Sequence, residues 1–121
     1  MMSVDLEKYR KLVEGNPMSV ATVKREETPN IAVVAYVKVV DSDKLLITDN
    51  YMKQTVENIR ENEKVCLACF DGDWKGVKIF GCAEYFAEGE WVEKVKAMPE
   101  NDGEPAKGAV VVTVERIVEI G

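Results

Sequence analysis

Stretches of β-branched or alternating apolar residues recur along the chain, separated by short polar segments. Such stretches are typical of β-strands that are buried on one or both faces. The longest β-branched run, 30–40, is the strongest strand signal, and Gly81 predicts a bulge or bend in a later strand. The predicted strands are 18–23, 30–40, 44–48, 64–70, 74–86 and 109–120.

Other segments repeat apolar residues at helical spacing. The predicted helices are 3–14, 52–61 and 88–98. Ser3 is expected to cap the first helix, and Gly15 and Pro17 are expected to end it. The polar residues 24–28 predict a hairpin tip, and 99–107, which lacks an apolar anchor, predicts a mobile loop.

Short turns join several of the strands, so the sheet should be largely antiparallel. Six strands around one core predict a mainly β fold, namely a six-stranded antiparallel split β-barrel of the Greek-key type with short peripheral helices. The length of 121 residues suits one domain, and we expect residues 1–121 to form it.

The charge balance narrows the range of partners. Acidic residues outnumber basic ones by 22 to 16, and the net charge is −6. Nucleic acids and anionic membranes require basic surface, so we expect neither as a partner. Apolar runs are too short to span a membrane, and the N-terminal segment lacks the apolar block of a signal peptide. The sequence therefore predicts a cytoplasmic protein.

Histidine is absent from the sequence, which excludes His-based acid–base catalysis and His-ligated metals. Cys66 and Cys69 have the CxxC spacing of some redox and metal sites. Both lie in a predicted strand, however, where residues three apart point to opposite faces. We interpret Cys66, Cys69 and Cys82 as buried small hydrophobic residues and expect no metal site.

A strand, a polar turn, a helix and a further strand are predicted over 45–70. Lys53, Gln54 and Thr55 occupy the first turn of that helix, where backbone N–H groups are unpaired and the helix dipole is positive. These donors favour an anion, with phosphate as the expected group. In the alternative interpretation, Lys53 only forms an ion pair with Glu57 one turn later.

The chain resembles a known family in LLITDNYMKQTVENIRENEKVCLACF (45–70) followed by VKIFGCAEYF (77–86). These segments are similar to the FMN-binding split barrels related to pyridoxamine 5′-phosphate oxidase, and most of all to their minimal archaeal and bacterial FMN-binding members. The resemblance runs over 18–86, with a matching last strand at 109–120. It rests on the order and spacing of the motifs, and it implies FMN as the cofactor.

The resemblance also implies which residues contact the flavin. In the family, one strand lies along the isoalloxazine ring, the end of another contacts the flavin and its ribityl chain, a helix start binds the phosphate, and a loop aromatic can cover the flavin of either subunit. The matching residues are Ala32, Val33, Val34, Ala35 and Tyr36 for the ring, Thr48, Asp49 and Asn50 for the strand end, Lys53, Gln54 and Thr55 for the phosphate, and Trp74 for the cover. Alternatively, Trp74 caps the end of the barrel.

Two departures separate this chain from the vitamin-processing oxidases of that family. Those enzymes carry an arginine that helps to hold the phosphate on the strand matching 31–37, where this chain has only apolar residues and Tyr36. Their C-terminal extension, with an Arg and a His that grip the substrate, has no counterpart before Gly121. We therefore expect no pyridoxamine 5′-phosphate oxidase activity.

The segment 30–40 is apolar on both faces, whereas a monomeric barrel buries only one face of a strand. We therefore expect a homodimer. Three functions remain open: an FMN-dependent oxidoreductase acting on an unknown small substrate, an FMN carrier or electron-transfer module, and a barrel without flavin that only mediates assembly. A deazaflavin-binding relative is a further alternative. Tyr36 and backbone N–H groups are the only candidate proton donors, and the catalytic residues stay unknown.

Overall fold

The computed structural model describes residues 4–24 and 28–120. Its strands are β1 (Met18–Val23), β2 (Pro29–Val34), β3 (Val37–Asp41), β4 (Lys44–Asp49), β5 (Lys64–Phe70), β6 (Gly76–Phe86) and β7 (Gly108–Ile120). Its α-helices are α1 (Arg10–Gly15), α2 (Gln54–Glu61) and α3 (Glu90–Ala97), with short 3₁₀ helices at Leu6–Tyr9 and Pro99–Asn101. No helix within the described ranges is both long and apolar enough to cross a membrane.

All seven strands belong to one antiparallel sheet, in the order β2-β1-β5-β6-β7-β4-β3. The strands at the two ends of this order, β2 and β3, are consecutive in the chain and are separated only by Ala35 and Tyr36. Because two residues span only a few ångströms, the sheet must curl until its two ends are close together. The mainly β, antiparallel split-barrel prediction is confirmed.

One predicted strand is two strands in the structure, so the sheet has seven strands rather than six. The segment 30–40 breaks at Ala35 and Tyr36, because β2 pairs with β1 while β3 pairs with β4 on the other side of the barrel opening. The residue types on both sides of this corner are equally β-branched, so the hydrophobic pattern contained no signal for the break.

The helices follow the sequence-based predictions with shorter bounds. The predicted first helix is a 3₁₀ turn followed by α1, which ends at Gly15 as expected. Asp5 caps the 3₁₀ turn by accepting from the N–H of Glu7 at 3.2 Å. Ser3, the predicted cap, lies outside the described residues. The backbone N–H of Lys24 donates to the Thr28 carbonyl at 3.4 Å, as a hairpin requires, but residues 25–27 of the predicted tip also lie outside the described ranges.

Two apolar clusters hold the sheet in place. The larger cluster fills the barrel and includes Leu45 and Ile47 of β4. The smaller cluster packs α3 against the outer face of β4 and β7, with Leu46 meeting Val95 and its neighbours. β4 is therefore buried on both faces, which fixes the position of its last residues, Thr48 and Asp49.

The bulge predicted at Gly81 is present, because the pairing of β6 with β7 shifts register between Phe80 and Gly81. A Cβ atom at Gly81 would collide with the backbone carbonyl oxygen of Thr113, so a larger residue forces the two strands apart. The glycine is required here by this close approach of two backbones.

We expect Gly81→Ala to lower the free energy of unfolding by about 1–3 kcal/mol, the usual cost of overpacking. Gly72→Ala is the matched control, since a Cβ atom there meets nothing within 4 Å, and it should change stability by less than about 0.5 kcal/mol. Urea unfolding of both variants measures this. Equal stability of the two variants would show that the bulge tolerates a side chain.

Candidate functional site

A cavity of about 340 Å³, here called the apolar cavity, opens where the β2–β3 corner faces the end of β4. This volume lies in the range of small-molecule sites. The residues that line it are Ala32, Val33, Val34, Ala35, Tyr36, Thr48, Asn50, Tyr51, Met52 and Glu104. The structure thus brings together all five residues predicted for the ring and two of the three predicted for the strand end.

One wall of the apolar cavity is the edge of the sheet. β2 is the last strand in the sheet order and, among residues 4–24 and 28–120, pairs only with β1, so its other edge has backbone N–H and C=O groups without sheet partners there. The carbonyl of Tyr36 accepts from the N–H of Thr48 at 3.2 Å and ties the corner to β4. Small side chains beside a free backbone edge suit a flat ligand with donors and acceptors at its rim.

Asp49 does not line the cavity, although the family resemblance placed it among the contacts. Its carboxylate is fully buried and accepts from the N–H of Met52 at 2.8 Å and from the hydroxyl of Tyr85 at 2.6 Å. Burial, together with the hydrogen bond to Asp49, raises the pKa of Tyr85 to about 12. Asp49 therefore shapes the turn that carries Asn50, Tyr51 and Met52.

The segment 98–107, here called the strap, crosses the site and is held by polar contacts. The side-chain amide of Asn101 donates to Thr48 Oγ1 at 2.9 Å, and the N–H of Ala106 donates to Asn50 Oδ1 at 2.7 Å. Lys107 donates its N–H to the carbonyl of Asp49 at 3.0 Å. The sequence predicted a mobile loop here because no apolar anchor was recognised in 99–107, but Met98 and Ala106 are buried in the smaller apolar cluster. The strap is therefore held by apolar packing as well as by these hydrogen bonds.

A second cavity of about 240 Å³, here called the polar cavity, adjoins the first residues of α2. It is lined by Lys24, Thr28, Pro29, Asn30, Gln54 and Asn58. The same two elements line both cavities. On β2, Asn30 lines the polar cavity and Ala32 the apolar cavity, and around the start of α2, Gln54 lines the polar cavity and Met52 the apolar cavity. The two cavities therefore lie along the same two elements, β2 and the start of α2.

Of the three residues predicted for the phosphate, only Gln54 lines the polar cavity. Lys53 is exposed and precedes α2 at its cap position. Thr55 is buried, and its Oγ1 accepts from the side-chain amide of Asn30 at 3.0 Å, so it orients Asn30. Lys24 supplies the positive charge of this cavity within the described ranges.

Several lining residues were missed by reasoning from the sequence. Tyr51 and Met52 directly follow Asn50 and could have been found from the length of the turn. Glu104 and Lys24 come from loops whose paths depend on the folded barrel, and nothing in the local pattern points to them.

Trp74 lies away from both cavities. It occupies the turn between β5 and β6 with a left-handed backbone, φ 63°, and stacks on Phe70 at 5.0 Å between ring centroids. Its side chain is 73% exposed, so within one chain it neither covers a ligand in the apolar cavity nor closes the barrel.

The cysteines point to different faces of the sheet. Cys69 faces the barrel interior, and burial raises the pKa of its thiol to about 11. Cys66 lies on the opposite face of β5, as strand geometry predicted. Cys66 and Cys82 are only half-buried, so the prediction that all three are buried holds for Cys69 alone.

Comparison with known proteins reveals similarity over nearly the whole chain. The family model described as pyridoxamine 5′-phosphate oxidase matches residues 6–121. An uncharacterised protein of Methanocaldococcus jannaschii is 35% identical over 119 residues, which cover 94% of this chain and 79% of that protein.

Solved structures have the same fold. HupZ of Group A Streptococcus superposes with a TM-score of 0.84 at 27% identity, covering 99% of this chain and 94% of HupZ. An FMN-binding protein of Syntrophomonas wolfei superposes with a TM-score of 0.79 at 20% identity, covering 96% of this chain and 86% of that protein.

The Tyr85–Asp49 hydrogen bond predicts a dependence of stability on pH. Because the folded state raises the pKa of Tyr85 from about 10 to about 12, the stabilisation is complete below pH 10 and is lost as the pH rises through 12. The unfolding free energy of the wild type should therefore fall more steeply between pH 9.5 and about 11.5 than that of Tyr85→Phe, which lacks the ionisable group. If the unfolding free energies of the two proteins fall in parallel across this pH range, the raised pKa of Tyr85 is contradicted.

Proposed function

The chain belongs to the pyridoxamine 5′-phosphate oxidase family, and we propose that it binds FMN across the two cavities. One observation carries this proposal: an apolar cavity with a free strand edge adjoins a polar cavity at the start of a helix. FMN has the matching arrangement, in which a flat heteroaromatic ring is joined through a ribityl chain to a phosphate. The FMN-binding protein of Syntrophomonas wolfei, which has the same fold, supports the choice of ligand.

The residues present fit this cofactor. The backbone edge at 32–36 would offer donors and acceptors to the rim of the isoalloxazine ring, and Thr48 and Asn50, which line the same cavity, would contact the flavin and its ribityl chain. The Lys24 ammonium and the side-chain amide of Gln54 would provide charge-assisted hydrogen bonds to the phosphate. Asn30, whose amide donates to Thr22 and Thr55, would line the phosphate site beside them.

We further propose a flavin-dependent oxidoreductase that acts on a small molecule. The flavin, when bound, supplies the electron and hydride chemistry, while the chain holds the ring, excludes water from one of its faces and fixes the phosphate. The apolar cavity is not filled by described side chains, which disfavours a barrel that has lost its cofactor and only mediates assembly. Two functions compete with this one: carrying the cofactor without acting on a substrate, and binding a deazaflavin in place of FMN.

The dimer proposal rests on an exposed apolar face. Ile31 and Val33, on the outer face of β2, are 70% and 69% exposed. They pair with Ala21 and Ser19 of β1, so this face presents small and apolar side chains to solvent. Covering it with a second copy of the chain removes the apolar surface from water. Val33 also lines the apolar cavity, so the partner would lie beside the ligand.

Titration of the apo-protein with FMN and with riboflavin tests the cofactor proposal. Lys24→Ala should lower the affinity for FMN by about ten- to a hundredfold, since a hydrogen bond to a charged group contributes roughly 1.5–3 kcal/mol. Riboflavin, which lacks the phosphate, should bind equally to wild type and variant. Lys53→Ala is the matched control and should lower the affinity for FMN by less than about threefold, because only a charge screened by solvent is lost.

Three outcomes would revise this assignment. Equal losses for FMN and riboflavin mean that Lys24 serves the fold. A phosphate-selective loss in Lys53→Ala but not in Lys24→Ala places the phosphate at the helix start instead of the polar cavity. If a deazaflavin binds more tightly than FMN, the proposed cofactor changes from FMN to the deazaflavin.

Sedimentation velocity tests the dimer. The wild type should sediment as a dimer at micromolar concentration, and Ile31→Asp should sediment as a monomer because the substitution buries a charge in the interface. Val40→Asp, at a 36% exposed apolar position of β3, is the control and should stay dimeric. A monomeric wild type rules out the proposed interface.

A further inference from the structure

The wall of the apolar cavity carries a single formal charge among the described residues, the carboxylate of Glu104. The other lining groups are small, apolar, hydroxyl or amide side chains. Glu104 is half-buried, and it forms no ion pair within residues 4–24 and 28–120. Any molecule that enters this cavity therefore meets a negative charge that no neighbouring cation neutralises.

Contacts on both sides hold Glu104 at the cavity wall. Its Oε2 accepts from the hydroxyl of Tyr51 at 2.7 Å, and its backbone N–H donates to the Asn101 carbonyl at 2.9 Å. Two residues later, Ala106 is bonded to Asn50. The hydrogen bond to Glu104 also raises the pKa of Tyr51, so this hydroxyl stays protonated and continues to donate to the carboxylate at neutral pH.

Neighbouring acids of the strap lack these features. Glu100 is paired with the ammonium of Lys38 at 3.2 Å. Asp102 is exposed and does not line the apolar cavity. The position of Glu104 therefore distinguishes it from the general excess of negative charge on this protein.

We propose that Glu104, oriented by Tyr51, makes the site selective for the charge of its reactants. Cationic substrates and neutral substrates that donate hydrogen bonds are favoured, and anionic substrates are repelled. This inference rests on the proposed flavin function and deepens it by naming the class of substrate. An amine, a guanidine or an amide N–H at the strap side of the ligand would meet the carboxylate, whereas a substrate carboxylate or phosphate would face a like charge in a partly desolvated space.

Two one-electron oxidants of opposite charge provide the test, hexaammineruthenium(III), a trication, and ferricyanide, a trianion. The two-electron-reduced flavin gives one electron to each of two oxidant ions and releases its redox protons to the buffer. Stopped-flow absorbance of the FMN-loaded, reduced protein measures reoxidation by each oxidant. At low ionic strength, Glu104→Gln should increase the rate of reoxidation by ferricyanide and decrease the rate of reoxidation by hexaammineruthenium(III), each by roughly three- to tenfold. Added salt should reduce both effects.

The matched control is Asp102→Asn, which removes the same charge from the strap without touching the cavity. Its rates should stay within about twofold of the wild type for both oxidants. Tyr51→Phe should shift the rates in the same direction as Glu104→Gln but less, because the carboxylate keeps its charge and loses its orientation.

The outcomes separate this inference from the proposed function. Equal effects of Glu104→Gln and Asp102→Asn, or no opposite response to the two oxidants, would overturn the charge selectivity while the protein still binds FMN. Failure of the wild type to bind FMN, seen in the loading titration before any oxidant is added, would instead overturn the proposed function and this inference with it.

Discussion

The short covalent link between β2 and β3 is the constraint on which the rest of the structure depends. These strands lie at opposite ends of the sheet order, yet only Ala35 and Tyr36 join them. The sheet can satisfy this link only by curling into a barrel, and the curl leaves a corner at which the edge of β2 is unpaired. The apolar cavity lies at this corner, so the closure of the barrel and the formation of the candidate site have the same cause.

A second layer of interactions supports the opposite wall. β4 is buried on both faces, between the barrel core and α3, and its last residue, Asp49, holds the following turn through the N–H of Met52 and the hydroxyl of Tyr85. The strap then binds to the same strand end through Asn101. Core packing on both faces of β4 and the polar contacts at its end thus hold the same residues in place, so the site is preorganised.

The sequence predicted the fold class, most strand positions, the Gly81 bulge and the main-chain wall at 32–36, because these depend on local periodicity and on a motif order shared with a family. It missed the break at Ala35 and Tyr36, since the residues on either side have the same β preference. Glu104 and Lys24 were also missed, because each reaches its cavity through a loop whose path is set by the closed barrel. Lys53 and Thr55, which the sequence predicts for the phosphate, do not line the polar cavity, because side-chain direction and burial, which local position along the helix does not determine, decide which residues face a cavity.

The central claim is that one ligand spans the corner of the barrel and the start of α2. Backbone amide chemical shifts, followed by ¹⁵N-labelled NMR during addition of FMN to the apo-protein, test it most directly. The account predicts that the largest changes fall on 32–36 for the ring, on 48–52 for the ring and the ribityl chain, and on Asn30 and Gln54 for the phosphate. Changes on α1 and on the β5–β6 turn should be small. Changes concentrated on those last two elements, with none at the corner, would contradict it.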